Sequence, residues 1–259
     1  MTEIMGILNL TPDSFSGDGL EGAVKNALHQ ISRMIEEGAS IIDIGAESTR
    51  PGAEILTPAE EWDRLAPVLE NLGDRVHAAV FSVDTRHAET AWRALALGVQ
   101  IINDVSGGAD PAMTALIKDY DAALVLMHSL TIPADPAVTI PTDASAVEVL
   151  LGWAKEKIGA LEKQGITREQ IIFDPGIGFG KTLTQSWDII RNIAKFKPLG
   201  VPLLIGHSRK SFLCLFGEKP ASERDLETLA VSRYLLTQEV DYLRVHDVKT
   251  HVLMMGAAS

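Results

Sequence analysis

Three side chains with hydrogen-bond acceptors follow short apolar segments of this sequence. Asp84 and Asn103 each close a β-branched segment, and Asp174 closes a third and opens a glycine-rich stretch. A carboxylate only accepts hydrogen bonds, whereas an amide both donates and accepts them. This set suits a heterocycle with a row of N–H donors, such as a 2-amino-4-oxo pyrimidine ring. The alternatives are a metal site or turn and capping residues, but the sequence contains no His-Glu-x-x-His motif and no calcium-binding loop.

Basic residues follow other predicted strand ends. They are Arg50, Arg209, Lys210, Arg244 and His246. Arginine forms forked contacts to phosphoryl oxygens, and lysine supplies a point charge. The chain is acidic overall, with 23 Lys and Arg against 35 Asp and Glu, which argues against a nucleic-acid or anionic-membrane partner. Local cations in such a chain indicate an anionic small-molecule substrate, with surface ion pairs as the alternative.

The glycine-rich stretch 174–182 is similar to a phosphate loop but does not match one. Pro175 occupies the place of the first glycine in the P-loop pattern, and Lys181 that of the third glycine in the dinucleotide pattern. The glycines therefore predict a tight backbone turn that presents Asp174 to a ligand. The loop after Asn9 offers hard oxygens, from Asn9 and a nearby Asp, that could share Mg²⁺ with a diphosphate.

An alternation of two kinds of segment positions these side chains. Short continuous apolar runs, typical of parallel strands buried on both faces, alternate with stretches of helical periodicity. The predicted strands are 4–8, 41–44, 79–83, 100–102, 123–127, 171–173, 202–205 and 242–245. The predicted helices are 21–37, 58–72, 87–97, 111–119, 143–164, 184–197, 221–239 and a short one after 248.

Eight strands alternating with eight helices fit either a (β/α)8 barrel or a doubly wound open sheet. Polar or charged residues stand at all eight predicted strand ends: Asn9, Asp43, Asp84, Asn103 with Asp104, His128, Asp174, His207 with Ser208, and Arg244 with His246. In a barrel all these ends meet at one mouth, whereas an open sheet needs such residues only near its switch point. The pattern favours an α/β fold, a (β/α)8 TIM barrel, with residues 1–259 in a single domain.

Composition narrows the class of protein. The chain has 259 residues, of which 46% are hydrophobic and 22% charged, as in a folded globular protein. Its one cysteine, Cys214, excludes an intramolecular disulfide and favours a reducing compartment. No signal peptide and no run of roughly 18 apolar residues is present. These features predict a cytoplasmic protein.

Seven motifs, spread over nearly the whole chain, resemble those of dihydropteroate synthases in the same order. They are Met5–Ser16, Asp43–Gly52, Ser82–Thr85, Ile102–Asp104, Asp174–Lys181, Ser208–Ser211 and Arg244–Asp247. The resemblance implies a (β/α)8 barrel and a transferase of folate biosynthesis that is the sulfonamide target. The implied reaction joins 6-hydroxymethyl-7,8-dihydropterin diphosphate to 4-aminobenzoate by an SN1-like displacement of diphosphate. It also implies Mg²⁺ as cofactor and a homodimer formed through late helices.

The resemblance assigns roles to individual residues. It implies pterin binding by Asp84, Asn103, Asp174 and Lys210. It implies diphosphate binding by Asn9, Thr49, Arg50, Arg244 and His246, with Asn9 as the metal ligand. It implies aminobenzoate binding by Phe15, Thr49, Pro51, Ser208 and Lys210. The implied catalytic residues are Asp84, Lys210, Arg244 and His246.

Two other functions are compatible with parts of the sequence. A corrinoid-type pterin methyltransferase shares the barrel and the Asp, Asn and Asp pterin site, but it does not need the cations of 208–210 and 244–246. A non-catalytic pterin-diphosphate-binding paralogue is the second alternative. In its favour, Gly17 stands where the family usually has an Asp, and Asp18 follows it.

Overall fold

The computed structural model describes residues 2–10, 19–48, 52–214 and 219–256. Within these ranges, eight strands alternate with eight α-helices. The strands are β1 (Glu3–Asn9), β2 (Ile41–Gly45), β3 (Val80–Asp84), β4 (Ile101–Asp104), β5 (Ala123–Met127), β6 (Ile171–Asp174), β7 (Leu204–Ile205) and β8 (Tyr242–Val245). The helices are α1 (Gly19–Glu36), α2 (Pro58–Leu69), α3 (Ala88–Ala96), α4 (Pro111–Asp119), α5 (Ala146–Lys163), α6 (Leu183–Arg191), α7 (Asp225–Thr237) and α8 (Val248–Gly256). None of these helices combines the length and apolar character needed to cross a membrane.

The strands form one parallel sheet that closes on itself. Their order is β6-β5-β4-β3-β2-β1-β8-β7, and every neighbouring pair is parallel. Closure occurs between the two outer strands, where Phe173 forms a parallel bridge with Leu203. The amide of Phe173 also donates to the carbonyl oxygen of Pro202 at 2.8 Å. The predicted (β/α)8 barrel is confirmed, and the open sheet is excluded.

Apolar side chains pack on both faces of this sheet. The larger cluster lies between the strands and the helices. A smaller cluster fills the barrel interior and draws one residue from each of six strands: Met5, Ile41, Ile101, Val125, Ile172 and Leu204. Burial on both faces explains why the strands appear in the sequence as continuous apolar runs.

The alternation of side chains along a strand carries polar residues to the mouth of the barrel. Residues two apart point to the same face of a strand. The polar residues that follow interior positions by two are Asp43 after Ile41, Asn103 after Ile101, Asp174 after Ile172 and Arg244 after Tyr242. All four therefore extend the interior stack toward the carboxyl ends of the strands.

Local signals set the starts of several helices. Thr57 caps α2 with a reciprocal capping box, and Asp110 caps α4; both helices begin with proline, as the sequence predicts. The prediction of one helix over 184–197 is too long. Helix α6 ends at Arg191, and a 3-10 segment, Ile193–Leu199, follows it. Pro198 lies in that segment, and it disfavours α-helical conformation at the preceding residue.

Candidate active site

A cluster of charged residues joins the ends of β2, β3, β4 and β8. Arg244 donates from Nε to Oδ2 of Asp43 at 2.6 Å and from Nη2 to Oδ2 of Asp84 at 2.8 Å. Asn103 donates from Nδ2 to the same Asp43 oxygen at 2.9 Å. Asp43 is fully buried, whereas the side chains of Asp84 and Arg244 are each 18% exposed. The cluster therefore faces the mouth through Asp84 and Arg244.

Burial and charge together set the protonation of this cluster. Burial raises the pKa of Asp84 to about 7, while Arg244 lowers it and Asp43 raises it. For Arg244, burial lowers the pKa but the two carboxylates outweigh this effect, so its pKa is raised and it stays charged. Oδ1 of Asp43 is buried and has no hydrogen-bond partner among the described residues. The cluster thus offers acceptor oxygens next to a permanent cation.

A second group forms around Asp174 at the end of β6. Asp174 is buried, and its Oδ1 accepts from the backbone N–H of Gly176 at 2.7 Å. Burial raises the pKa of Asp174, and Lys210 has the opposite effect. Lys210 donates from Nζ to the carbonyl oxygen of Ile177. Burial lowers the pKa of Lys210 to about 8, although Asp174 raises it. A carboxylate and an amine thus both form hydrogen bonds with the backbone of one glycine-rich turn.

The glycines of this turn have the conformation that the sequence predicts. Gly176, Gly178 and Gly180 have φ values of 66°, 83° and 70°, which residues with a side chain rarely adopt. A Cβ added to Gly176 would lie 2.0 Å from the carbonyl oxygen of His128. The turn therefore approaches the end of β5 too closely for any side chain at this position.

Ser208 and His246 bring the ends of β7 and β8 together. Oγ of Ser208 lies 2.9 Å from Nδ1 of His246, and the backbone N–H of His246 donates to the same hydroxyl at 3.3 Å. Arg209, which the sequence groups with the cations of the mouth, instead forms a forked ion pair with Asp225 at 2.6 and 2.8 Å. Of the two neighbouring cations, only Lys210 contacts the glycine-rich turn.

The remaining predicted residues belong to the first two strand ends. Asn9 ends β1, is exposed and pairs with Gly45 of β2. The predicted residues Phe15, Thr49, Arg50 and Pro51, together with Gly17 and Asp18, lie outside the described residues. Among the described residues, no group of three or more His, Cys, Asp or Glu side chains could hold a metal ion.

The sequence predictions assigned no binding or catalytic role to Asp43 and Lys181, which the structure places in or beside the site. Asp43 binds both Arg244 and Asn103, and its position two residues after the interior Ile41 was the signal that could have shown this. Lys181 donates from Nζ to the carbonyl oxygen of His128 at 2.9 Å. No local pattern predicts this last contact, because the two residues are 53 positions apart.

Similarity to known proteins covers nearly the whole chain. Residues 5–246 match the family model described as pterin binding enzyme. The chain is 40% identical to a dihydropteroate synthase from Anaplasma phagocytophilum, whose crystal structure has bound 6-hydroxymethylpterin-monophosphate. That match has a TM-score of 0.89 and covers 99% of this chain and 98% of the other. This chain belongs to the dihydropteroate synthase family.

Two further relatives are informative. One has a different bound ligand, and the other is much longer than this chain. A dihydropteroate synthase structure from Xanthomonas albilineans with 4-aminobenzoic acid is 35% identical and has a TM-score of 0.91, covering 99% of this chain and 92% of that one. A probable bifunctional folylpolyglutamate synthase/dihydropteroate synthase from Halobacterium salinarum is 41% identical over 257 residues. The match covers 99% of this chain but only 31% of that longer protein. The family that the motifs indicate is thus confirmed.

Proposed function

We propose that this chain is a transferase of folate biosynthesis that forms 7,8-dihydropteroate. It would join 6-hydroxymethyl-7,8-dihydropterin diphosphate to 4-aminobenzoate and release diphosphate. Related structures bind a pterin monophosphate and 4-aminobenzoic acid. One observation carries the proposal: the buried acceptors Asn103 and Asp174 share a barrel mouth with the cations Lys210 and Arg244. The N–H groups of a pterin need acceptors such as Asn103 and Asp174, and the negative charge of a diphosphate needs cations.

Asp84, Asn103, Asp174 and Lys210 would hold the pterin. The amino and ring N–H groups of a pterin are donors, and the carboxylates of Asp84 and Asp174 are acceptors. Each hydrogen bond that involves a charged group contributes roughly 1.5–3 kcal/mol. Asn103 and Lys210 can donate to the ring oxygen and nitrogens. The polarity of the side chains therefore matches both edges of the ring.

Arg244 and His246 would bind the diphosphate, together with Asn9, Thr49 and Arg50. Arg244 and His246 leave the end of β8 two residues apart. Mg²⁺ usually takes one or two protein oxygens and completes its shell with substrate phosphates and water. The exposed carboxamide of Asn9 at the end of β1 fits such a site. When bound, the metal would neutralise charge on the leaving group.

Phe15, Thr49, Pro51, Ser208 and Lys210 would frame the aminobenzoate. In the reaction, the bond between the pterin methylene carbon and the diphosphate oxygen breaks, and diphosphate takes the electron pair. The amine then attacks the methylene cation and loses a proton. Asp84 would stabilise that cation through its carboxylate. Arg244, His246 and Lys210 would stabilise the negative charge that develops on the leaving group.

Three coarser predictions accompany this function. Residues 1–259 would form a single domain, because the described strands close one barrel. The protein would act in the cytoplasm on small molecules. It would assemble as a homodimer through its late helices, and sedimentation of the purified protein tests this assembly.

The test of the function is release of diphosphate from the pterin diphosphate in the presence of Mg²⁺, with and without 4-aminobenzoate. Dihydropteroate formation that depends on the aminobenzoate is the expected result. Arg244→Ala should weaken binding of the pterin diphosphate far more than binding of free 6-hydroxymethyl-dihydropterin. Binding of the pterin diphosphate without turnover would refute the proposed activity and favour the non-catalytic paralogue. Methyl transfer from methyl-tetrahydrofolate would favour the corrinoid-type enzyme instead.

A further inference from the structure

Lys181 closes the glycine-rich turn and is buried beside the proposed pterin site. Only 6% of the surface of Lys181 is exposed to solvent. Its Nζ donates to the carbonyl oxygen of His128 at 2.9 Å and lies 2.8 Å from Nδ1 of the same residue. The proposed reaction uses neither residue, although burying an amine is costly unless it is fully hydrogen-bonded.

The two acceptors of His128 can receive two hydrogen bonds from this amine in either protonation state. A neutral amine has two N–H groups and an ammonium has three, so both states can donate to the carbonyl oxygen and to Nδ1. Burial lowers the pKa of His128 to about 3, and the charge of Lys181 adds to that effect. The imidazole is therefore neutral, and its Nδ1 can accept. Its ring is held edge-on by Trp153, with ring centroids 5.0 Å apart.

The contact fastens the glycine-rich turn to the end of β5. The backbone N–H of His128 donates to the carbonyl oxygen of Asp174 at 3.1 Å, which extends the pairing of β5 with β6. The close approach of Gly176 to the His128 carbonyl brings the start of the turn to the same point. Lys181 fastens the far end of the turn there. Both ends of the turn are thus tied to His128.

The backbone between those two ends holds two groups of the pterin site. The N–H of Gly176 donates to Asp174 at 2.7 Å. The carbonyl oxygen of Ile177 accepts from Lys210, whose Nζ also lies 4.6 Å from the centre of the Phe179 ring. A displacement of the turn would therefore move a carboxylate and an amine together.

We infer that Lys181 is a positioning residue for the pterin site, acting through His128 to hold the turn that orients Asp174 and Lys210. This inference rests on the proposed function, because the ligand whose affinity Lys181 controls is a pterin. It also predicts a selective effect. Arg244 and His246, which would bind the diphosphate, are held by Asp43, Asp84 and Ser208. Release of the turn should therefore weaken diphosphate binding less than pterin binding.

Lys181→Met tests this inference because it keeps an unbranched apolar side chain as far as Cε and removes the donor nitrogen. Calorimetry would measure the binding of 6-hydroxymethylpterin and, separately, of inorganic diphosphate with Mg²⁺. We expect the Kd for the pterin to rise about tenfold, the loss expected for roughly one hydrogen bond. The Kd for diphosphate should rise less, because Arg244 and His246 are held by Asp43, Asp84 and Ser208. Lys155→Met, the same substitution at an exposed position of α5, should alter neither.

His128→Phe distinguishes the contribution of the imidazole nitrogen from that of the backbone carbonyl oxygen. It keeps the carbonyl oxygen and an aromatic ring against Trp153 but removes Nδ1, so the loss of pterin affinity should be smaller than for Lys181→Met. The double variant should bind pterin no worse than Lys181→Met, because both changes act on one contact. Melting curves confirm that each variant is folded under the assay conditions.

Each other outcome is decisive. Unchanged pterin affinity in Lys181→Met, or equal losses of pterin and diphosphate affinity, would overturn the inference. A wild-type protein that binds pterin but forms no dihydropteroate would refute the proposed function alone, since the binding data still decide the role of Lys181. A wild-type protein that binds no pterin would refute both.

Discussion

Replacement of Arg244 by methionine should destabilise the fold through the two carboxylates that it neutralises. Breaking a buried ion pair costs about 3–5 kcal/mol, because the remaining charge is left without a partner. Asp43 is fully buried, but the side chains of Asp84 and Arg244 are each 18% exposed, which places the expected loss near the lower end, about 3 kcal/mol. In a domain of this size, that loss lowers Tm by about 6–12 °C.

The loss of unfolding free energy caused by Arg244→Met should grow as the pH rises. Burial raises the pKa of Asp84 to about 7 in the folded protein, above the 3.8 of an exposed carboxyl, while Arg244 lowers it. A raised carboxyl pKa costs stability progressively between the unfolded and folded pKa values, and the cost is constant above both. Without Arg244 the folded pKa is higher still, so the variant continues to lose stability above pH 7 while the wild type does not. Each further unit of pKa corresponds to about 1.4 kcal/mol.

Urea denaturation at about pH 5.5 and about pH 8.5 measures this dependence. Arg209→Met is the matched control, because Arg209 also forms a forked pair, with Asp225. Those side chains are 27% and 35% exposed, and such a pair contributes about 1 kcal/mol or less. The hydrogen bond from Arg209 lowers the pKa of Asp225, so its contribution should be equal at both pH values.

Two results would refute this reasoning. Equal losses for Arg244→Met at both pH values would show that Asp84 does not titrate as its burial requires. A loss no larger than that of Arg209→Met would show that solvent already screens the cluster, so that Asp43 and Asp84 need no cation.

Three further perturbations test other parts of the site. Asp174→Asn should weaken binding of 6-hydroxymethylpterin by about 1.5–3 kcal/mol, the contribution of a charge-assisted hydrogen bond; unchanged affinity in calorimetry would remove Asp174 from the pterin site. Gly176→Ala should destabilise the protein in urea denaturation by more than the roughly 1 kcal/mol that positive φ costs, since its Cβ would meet the His128 carbonyl oxygen at 2.0 Å. Gly73→Ala, with φ 56° and no atom within 4 Å of the added Cβ, is the control, and an equal loss would contradict the close approach. Chelation of Mg²⁺ should abolish turnover but not pterin binding, and turnover that survives in EDTA would exclude the proposed metal.

The fold was predictable because its signals are local and repeat eight times. Each strand is an apolar run with a polar residue at or near its end, and the strict alternation with helices leaves few topologies. The helix boundaries were less predictable. The end of α6 at Arg191, and the start of α7 at Asp225 after a 3-10 turn, depend on how the chain packs beyond the apolar periodicity.

The site was predictable by residue type but not by partner. Asp84, Asn103, Asp174 and Lys210 do lie at the barrel mouth, as the positions of the strand ends require. Asp43 received no role, because the sequence predictions did not use its position two residues after the interior Ile41. The buried pair of Lys181 with His128 was missed because 53 positions separate the two residues.

The sequence by itself determined which residues form strands, which face of each strand is polar near its end, and where the glycine-rich turn lies. These properties depend on side-chain alternation and on φ values, and both are local. Only the tertiary structure decided which cation neutralises which carboxylate. Arg209 and Arg244 are both arginines near strand ends, yet Arg209 pairs with Asp225, 16 positions away, and Arg244 with Asp43, 201 positions away. The pairing of β8 with β1, which in turn pairs with β2, brings Arg244 close to Asp43, and no local pattern contains this long-range contact.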